Sequence, residues 1–439
     1  MRVKLLTLGC RVNEAETEAW ARDLHAQGHR LCTPGEAADL VVVNTCAVTR
    51  EALRKSGQML RRCRREDPQA RLVVSGCAVS LPGSLIGSAP GLSQTANLVI
   101  PNADKDRLVD EASRYLGTPG GPGPAVQVDT ASLMARSRQR AFLKVQDGCR
   151  HRCAYCVTTL ARGEERSRPT QDVVAEVRTL TALGIDEVLL TGVHLGGYGS
   201  DRAGEDLISL IRALLAETPI RRLRLGSLEP WAIPEGPQAG FWDLFGTGRL
   251  LPHLHLPIQS GSDTVLRRMA RRGRARDLLA LVGAGRGAVA DLNLTTDIIA
   301  GYPGESEAEW QETIDLVERI GFGGVHVFAF SAHPGTRAAG LPDQVPVEVR
   351  QQRARQLRRI AAGLRSRALT RLVGRCVEVL VEGGDGPVAP SAPRLGYTPS
   401  YLPVRIRGLS SPIGPGARIR RVRLTGVSAD GEALEAIED

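Results

Sequence analysis

The sequence predicts an α/β protein in three parts: an open parallel sheet with crossover helices, a partial (β/α)6 barrel, and a small C-terminal β-barrel. Three observations predict this. Short apolar runs alternate with helical patterns over two long stretches, a Gly- and Pro-rich segment divides those stretches, and the residues from about 370 onward switch to short alternating strands with Gly and Pro turns.

Residues 1–115 contain the apolar runs Val3–Leu8, Leu40–Val43 and Leu72–Val74, separated by helical patterns at Glu14–Gln27 and Val48–Arg65. Short buried strands spaced by helices are the mark of parallel pairing, because parallel neighbours need a crossover. Residues 116–138 include Gly117, Thr118, Pro119, Gly120, Gly121, Pro122, Gly123 and Pro124 and predict a linker, since Gly and Pro resist both helix and strand. The alternation resumes over 139–368, with strands predicted at Phe142–Val145, Glu187–Thr191, Arg222–Leu225, Leu254–Pro257, Asn293–Ile299 and Gly324–Phe330. Six such units predict the partial barrel, closed by a basic helix over Val347–Ala368. Residues 369–439 hold Cys376–Val381, Leu402–Arg407 and Arg418–Leu424, strands of a small barrel. No repeat of fixed period is present, which excludes a solenoid.

No apolar run reaches the roughly 18–20 residues of a membrane helix, and Met1–Leu6 opens a strand pattern rather than a signal peptide, so a cytoplasmic protein is expected. The 57 basic residues against 48 acidic ones leave +9, carried almost wholly by Arg. Arg grips phosphate with two prongs, so a polyanionic partner is one reading and coding bias the other. Nine cysteines at unequal spacing do not form a small disulfide framework; in a reducing compartment such residues are more often ligands or reactive thiols.

Cys149, Cys153 and Cys156 form C-x3-C-x2-C directly after the strand Phe142–Val145. Three thiolates can hold three irons of a 4Fe-4S cluster and leave the fourth open to a small chelating molecule, as an open position makes a metal site catalytic. Zinc, with His151 as a fourth ligand, is the structural alternative. The loop resembles the signature of the radical S-adenosylmethionine (SAM) superfamily. That resemblance implies that the reduced cluster donates an electron to the sulfonium, releasing methionine and a 5′-deoxyadenosyl radical. It also implies that Tyr155 fills the loop's aromatic position and that Thr191–Gly196 receives the methionine amino group. Leu228-Glu229-Pro230, Leu256–Ser262 and Asp297–Glu305 look like cofactor-facing strand ends. Tyr155, Gly192, Glu229, Gln259, Asp297 and Gly301 are the expected cofactor contacts, although a Gly-rich strand end taken alone is usually just a turn.

Cys10, Cys46 and Cys77 each follow directly on a predicted buried strand, in Leu8-Gly9-Cys10, Asn44-Thr45-Cys46 and Ser75-Gly76-Cys77. In an open parallel sheet the strand carboxyl ends share one edge, where ligands bind, so the three sulfurs are expected to converge. Gly9 and Gly76 let the backbone pass close to a bulky group. The alternative is that each is a small buried core residue; Cys32, Cys63 and Cys376 have no such arrangement and are read as ordinary cysteines.

Two open-site cysteine sets in one chain resemble the methylthiotransferase family over essentially the whole length, with Thr7–Glu18 and Asn44–Thr49 the most specific segments. The resemblance implies a Rossmann-like N-terminal sheet, a radical-SAM barrel and a TRAM module, two 4Fe-4S clusters, and S-adenosylmethionine both as radical source and as methyl donor. The second cluster would handle the sulfur, with a sulfur source and an electron donor supplied from outside. The TRAM-like region, with Gly396–Val404 and Arg405, Arg407, Arg420, Arg421 and Arg423, implies RNA as partner, specifically a tRNA anticodon stem-loop; a packed tyrosine core with a solvated arginine face is the bland reading. Thr7–Asn13 and Gly192–Gly199 look most like the branch acting on N6-threonylcarbamoyladenosine at tRNA position 37. The isopentenyladenosine branch typically has Gln-Met-Asn after the first cysteine, and a third branch modifies a ribosomal-protein aspartate. Thr158, Thr159, Gly273 and His333 depart from the family pattern. The basic segment Arg162, Gly163, Arg166, Ser167 and Arg168 follows it and is expected to face RNA or the cofactor carboxylate. An iron-sulfur RNA-binding redox sensor without catalysis is the reading from another class.

Overall fold

The computed structural model describes residues 1–33, 35–81, 96–117, 140–234, 240–383, 392–409 and 418–439; the predicted linker lies outside them apart from Leu116 and Gly117. The first unit is a five-stranded parallel sheet of β1 (Arg2–Thr7), β2 (Arg30–Leu31), β3 (Leu40–Thr45), β4 (Arg71–Gly76) and β5 (Leu98–Ile100), in the order β2-β1-β3-β4-β5. Its helices are α1 (Arg11–Ala26), α2 (Arg50–Glu66), the single turn α3 (Cys77–Ser80) and α4 (Leu108–Leu116). Strand β3 is buried along its whole length, which is why it reads as an unbroken apolar run. Its alternate residues serve two cores: Val42 packs with Trp20, Leu24 and Leu108, while Val41 and Val43 pack with Leu60 and Cys63.

The middle unit joins β6 (Arg140–Asp147), β7 (Arg166–Ser167), β8 (Glu187–Gly192) and β9 (Arg222–Leu225) to β10 (His253–His255), β11 (Asn293–Ala300) and β12 (Gly324–Ala329). The two sheets have the orders β7-β6-β8-β9 and β10-β11-β12, and bridges Leu223–Leu250 and Ser227–His255 stitch them side by side. Six parallel strands therefore curve into the predicted partial barrel, with the short β7 antiparallel at its edge. Helices α5 (Thr158–Arg162), α6 (Thr170–Ala182), α7 (Leu207–Glu217), α8 (Asp263–Arg268), α9 (Ala275–Ala288), α10 (Glu307–Ile320) and α11 (Val347–Thr370) follow the strands. Capping boxes Asp206/Ser209 and Ser306/Glu309 start α7 and α10 by satisfying their first free N–H groups.

Period-two alternation decides what faces the lumen. On β11, Leu294, Ile298 and Ala300 join the large outer core with Val317 and Leu357, while Asn293, Thr295 and Asp297 line a cavity inside the barrel. On β10 and β12 the same rule turns Leu254 and Val327 outward and His253, His255, His326 and Phe328 inward.

The last unit is a closed barrel of β13 (Cys376–Val381), β14 (Arg394–Tyr397), β15 (Pro403–Arg407), β16 (Ile419–Val427) and β17 (Leu434–Glu438), filled by Val379, Val404, Ile406, Val422, Leu424 and Leu434. The sequence did not predict β14 or β17: Arg-Leu-Gly-Tyr breaks alternation with a glycine, and Leu-Glu-Ala-Ile-Glu is rich in poor strand formers. The turn from Tyr397 to Leu402 closes the end of the partial barrel where its strands begin. Tyr397 and Tyr401 stack with centroids 5.0 Å apart. The guanidinium of Arg140 lies 5.2 and 5.0 Å from their centroids, and that of Arg224 lies 4.4 Å from Tyr401. Arg224 donates to the Pro399 carbonyl at 3.0 Å and Asn293 to the Ser400 carbonyl at 2.8 Å. Glu187, fully buried, answers Arg140, Arg222 and Arg224 together. Among the described residues no helix is long and apolar enough to cross a membrane.

Candidate functional site

Cys10, Cys46 and Cys77 stand at the carboxyl ends of β1, β3 and β4, three adjacent strands. Cys10 caps the start of α1, and Cys77 opens α3. Gly9 (φ +104°) and Gly76 (φ +105°) hold backbone conformations that other residues rarely adopt, and a Cβ on Gly9 would lie 2.6 Å from the Cys46 sulfur. The sulfurs are close enough to influence one another. Burial pushes the Cys46 thiol up to about 11, with Cys10 and Cys77 adding to it, and burial likewise raises Cys10 against the pull of Arg162.

Behind these thiols lies a buried ion network that ties α1 to the barrel. Arg162 donates to Glu16 at 2.9 Å, to Asp147 at 2.9 Å and to the Asn13 side chain at 2.8 Å. Lys105 and Lys144 also reach Glu16, at 2.5 and 3.2 Å. Burial alone would push Glu16 up, but Lys105, Arg162 and Lys144 hold it well below the usual carboxylate range. Of the basic segment expected to face RNA or a cofactor carboxylate, Arg162 does not offer a free fork, being buried against Glu16 and Asp147, while Arg168 is partly exposed and pairs with Glu176 at 2.6 Å. Three cations (Lys105, Lys144, Arg162) meet three carboxylates (Glu16, Asp147 and, at the network's exposed edge, Asp106), so the charges beside the thiols are balanced within the network.

Cys149, Cys153 and Cys156 occupy the loop leaving β6. Gly148 (φ +71°) lets that loop pass the Glu164 carbonyl, where a Cβ would sit 1.8 Å away. The His151 N–H donates to the Cys149 sulfur at 3.4 Å and the Thr158 N–H to the Cys156 sulfur at 3.3 Å, which favours thiolate over thiol. Without a metal, burial pushes Cys149 up to about 12 and raises Cys153. In neither cysteine set do all three sulfurs gather within 4.8 Å, as three ligands of a single ion with bonds of about 2.3 Å would.

The expected cofactor contacts are placed as follows. The Tyr155 hydroxyl accepts from Arg271 at 3.3 Å. Gly192 ends β8, where a Cβ would meet the Gln146 side chain at 2.9 Å. One Glu229 oxygen is buried without a hydrogen-bond partner, although His194 Nε2 stands 3.6 Å away, so it awaits a donor. Gln259 holds φ +71° and bridges to Ile298. Asp297 pairs with His255 Nε2 at 3.2 Å. Gly301 has a structural partner set: its N–H donates to Glu305 at 2.7 Å, and a Cβ would meet Arg350 at 2.4 Å.

A cavity of about 980 Å³ opens between the sheet, the barrel lumen and the small barrel, bounded by Cys10, Cys77, Gly192, Asp297 and Tyr401. Sequence reasoning named Asp297 but missed the histidines around it. His255, Asp297 and His326 bring one ligand atom each to within 4.8 Å of the others, and Thr295 Oγ1 links His255 Nδ1 (2.9 Å) to His253 Nε2 (3.0 Å). Burial and the charge of Arg224 hold His253 neutral, far below the usual imidazole range. The signal was available as alternation in His-Leu-His and Asn-Leu-Thr-Thr-Asp.

Comparison with known proteins follows this geometry. The model of the radical SAM superfamily matches residues 143–317, and that of the uncharacterized protein family UPF0004 matches residues 2–93. The threonylcarbamoyladenosine tRNA methylthiotransferase MtaB of Bacillus subtilis (strain 168) is 30% identical over 441 residues, covering 99% of this chain and 96% of that protein. The tRNA-2-methylthio-N(6)-dimethylallyladenosine synthase of Chloroflexus aurantiacus is 34% identical over 396 residues, covering 87% and 82%. Among solved structures, the radical S-adenosylmethionine methyltransferase TsrM from Kitasatospora setae, with cobalamin and a [4Fe-4S] cluster bound, matches with a TM-score of 0.54 at 16% identity, over 77% of this chain and 76% of that one. That likeness concerns the fold.

Proposed function

Since this chain belongs to the tRNA methylthiotransferase family of radical SAM enzymes, we propose that it attaches a methylthio group to C2 of N6-threonylcarbamoyladenosine at position 37 of tRNA, using two 4Fe-4S clusters. The observation that carries this reading is the shared cavity, which has Cys10 and Cys77 on one wall and the strand ends Gly192 and Asp297 on another. Cys149, Cys153 and Cys156 would hold the radical cluster, and Cys10, Cys46 and Cys77 the second. When bound, the first cluster supplies the electron that cleaves S-adenosylmethionine, and the second supplies sulfur to the opened C–H position.

The chain's own residues prepare this site. The unpartnered Glu229 oxygen would accept from the methionine ammonium beside Cys149. Arg271 fixes the Tyr155 ring from its hydroxyl end. The Tyr397–Tyr401 pair and Arg140 pack over the strand starts, where they would limit water entry and protect reactive species from side reactions. The module 369–439 would grip the anticodon stem-loop and 139–368 would carry the radical chemistry. Several of its arginines are compensated, Arg405 by Asp430 and Arg423 by Asp439, so phosphate binding there would compete with ion pairs worth little at a surface.

The test has two arms. Nucleoside mass spectrometry of tRNA from a strain whose only such enzyme is this one should show 2-methylthio-N6-threonylcarbamoyladenosine; finding the methylthio group on isopentenyladenosine, or on a ribosomal-protein aspartate, overturns the substrate. Anaerobic reconstitution should yield roughly eight irons per chain, two cubes of four. Cys10→Ala should block sulfur insertion and spare 5′-deoxyadenosine formation, which Cys149→Ala should abolish. Equal behaviour of the two variants, or absence of S-adenosylmethionine cleavage in the intact protein, refutes the division of labour.

A further inference from the structure

Among the described residues, five arginines line the cavity: Arg11, Arg140, Arg162, Arg365 and Arg405. Four of them are answered by carboxylates. Arg140 meets Glu187 and Glu382, Arg162 meets Glu16 and Asp147, Arg365 meets Glu432, and Arg405 meets Asp430. Arg11 is different. Among the described residues its guanidinium has no carboxylate partner and lies instead over two aromatic rings, 5.8 Å from the centroid of Phe142 and 5.2 Å from that of Tyr401. Cation–π attraction at these distances holds the charge beside the rings without using its N–H groups, which stay free to donate. An uncommitted guanidinium facing a substrate cavity can recognise a carboxylate in two-pronged fashion.

We propose that Arg11 is the specificity-determining residue of this site and that it binds the carboxylate of the amino-acid substituent on the target adenosine. The inference rests on the substrate reading above and says which side chain enforces it. Position supports it, since Arg11 directly follows Cys10, at the start of α1. In a threonylcarbamoyl group the outer urea N–H can close a six-membered hydrogen-bonded ring on N1 of the adenine. This closure swings the amino-acid carboxylate toward the ring edge that bears C2. A cation one residue away from a cluster ligand therefore holds the carboxylate on the side where sulfur must be delivered. The neighbouring His255, Asp297 and His326 offer donors and acceptors for the urea and the hydroxyl. An apolar dimethylallyl group, by contrast, would cover Arg11 without pairing it, and a polar group desolvated without a partner is what makes such sites reject the wrong ligand.

The experiment measures equilibrium binding of the reconstituted holoenzyme to two anticodon stem-loops identical except that one carries the threonylcarbamoyl carboxylate and the other its carboxamide. Wild-type protein should prefer the carboxylate by about 10- to 100-fold, the range of a charge-assisted pair. Arg11→Gln should reduce that preference to near unity, and Arg11→Lys, which keeps the charge but loses the fork, should retain part of it. Iron content of each variant shows whether the adjacent cluster survives; if Gln at this position costs iron, the Lys variant carries the comparison and must fall between wild type and unity. An undiminished preference in Arg11→Gln, or in Arg11→Lys where Gln costs iron, overturns the assignment, as does a wild type that binds both loops equally. A protein that makes methylthiolated threonylcarbamoyladenosine yet shows either result loses only this inference. A protein that makes no such product loses the substrate reading itself.

Discussion

Replacing Arg162 with methionine keeps most of the side-chain volume and removes the cation that joins α1 to the barrel. Four hydrogen bonds go with it: to Glu16 at 2.9 and 3.3 Å, to Asp147 at 2.9 Å and to Asn13 at 2.8 Å. Breaking one side of a buried ion pair costs about 3–5 kcal/mol, because the carboxylates left behind stay desolvated. Here Lys105 and Lys144 remain to answer Glu16, and Lys144 also reaches Asp147 at 3.1 Å, so the loss should sit near the lower end, about 3 kcal/mol. At roughly 2–4 °C per kcal/mol for units of this size, that is a fall of about 6–12 °C in melting temperature. Thermal unfolding of the anaerobic protein followed by calorimetry reads it directly. Arg168→Met is the internal control: its ion pair with Glu176 is partly solvated, with side chains 34% and 20% exposed, and should contribute about 0–1 kcal/mol. If Arg162→Met melts within about 1 °C of wild type, or no lower than Arg168→Met, the network does not hold the two units together and the reasoning fails.

Two further outcomes follow from particular side chains. His253 is buried with its pKa held well below the usual imidazole range by burial and by Arg224, so the unfolded chain takes up a proton that the folded one refuses. Stability contributed by neutral His253 is complete above about pH 6.5 and is lost as pH falls below it, by up to about 1.4 kcal/mol per pH unit. Denaturation between pH 5 and 7 should show that slope flattened in His253→Phe, and identical slopes would count against it. Gly9→Ala places a methyl group 2.6 Å from the Cys46 sulfur at φ +104°. Reconstituted Gly9→Ala should lose about half its iron while 5′-deoxyadenosine formation persists; full iron content would show that the backbone there has room to spare.

The parallel sheet, the six barrel strands and the cysteine positions were legible because each depends on a local pattern. A cysteine placed directly after a buried strand carries its location in the sequence, since the sheet aligns strand ends without further information. The lumen-facing histidines were missed although their alternation with Leu254 and Val327 carries the two-faced pattern, because a short strand with histidine at alternate positions reads equally well as a solvated face. Arg162 was not legible. A basic residue among other basic residues reads as a solvated face, and only the arrival of Glu16 and Lys105 from far along the chain turns it into a buried tie. Tyr397 and Tyr401 failed for the same reason: nothing local distinguishes a ring offered to RNA from one stacked under Arg140 and Arg224. Strand β17 escaped although it pairs antiparallel with the preceding β16, because its Glu and Ala residues are poor strand formers and its second partner, β15, lies parallel and far off in sequence.

The turn Tyr397–Leu402 gives the C-terminal module a second occupation. It is a stopper as much as a handle, seated in the mouth of the neighbouring unit by carbonyls that take up Arg224 and Asn293. Cutting the module away would uncork the lumen, wetting Arg140, Arg224 and His253 from below. Any defect seen in such a truncation would mix lost grip on RNA with a flooded reaction chamber, whereas changes confined to Arg421 and Arg423, on the far strand β16, leave the cork in place.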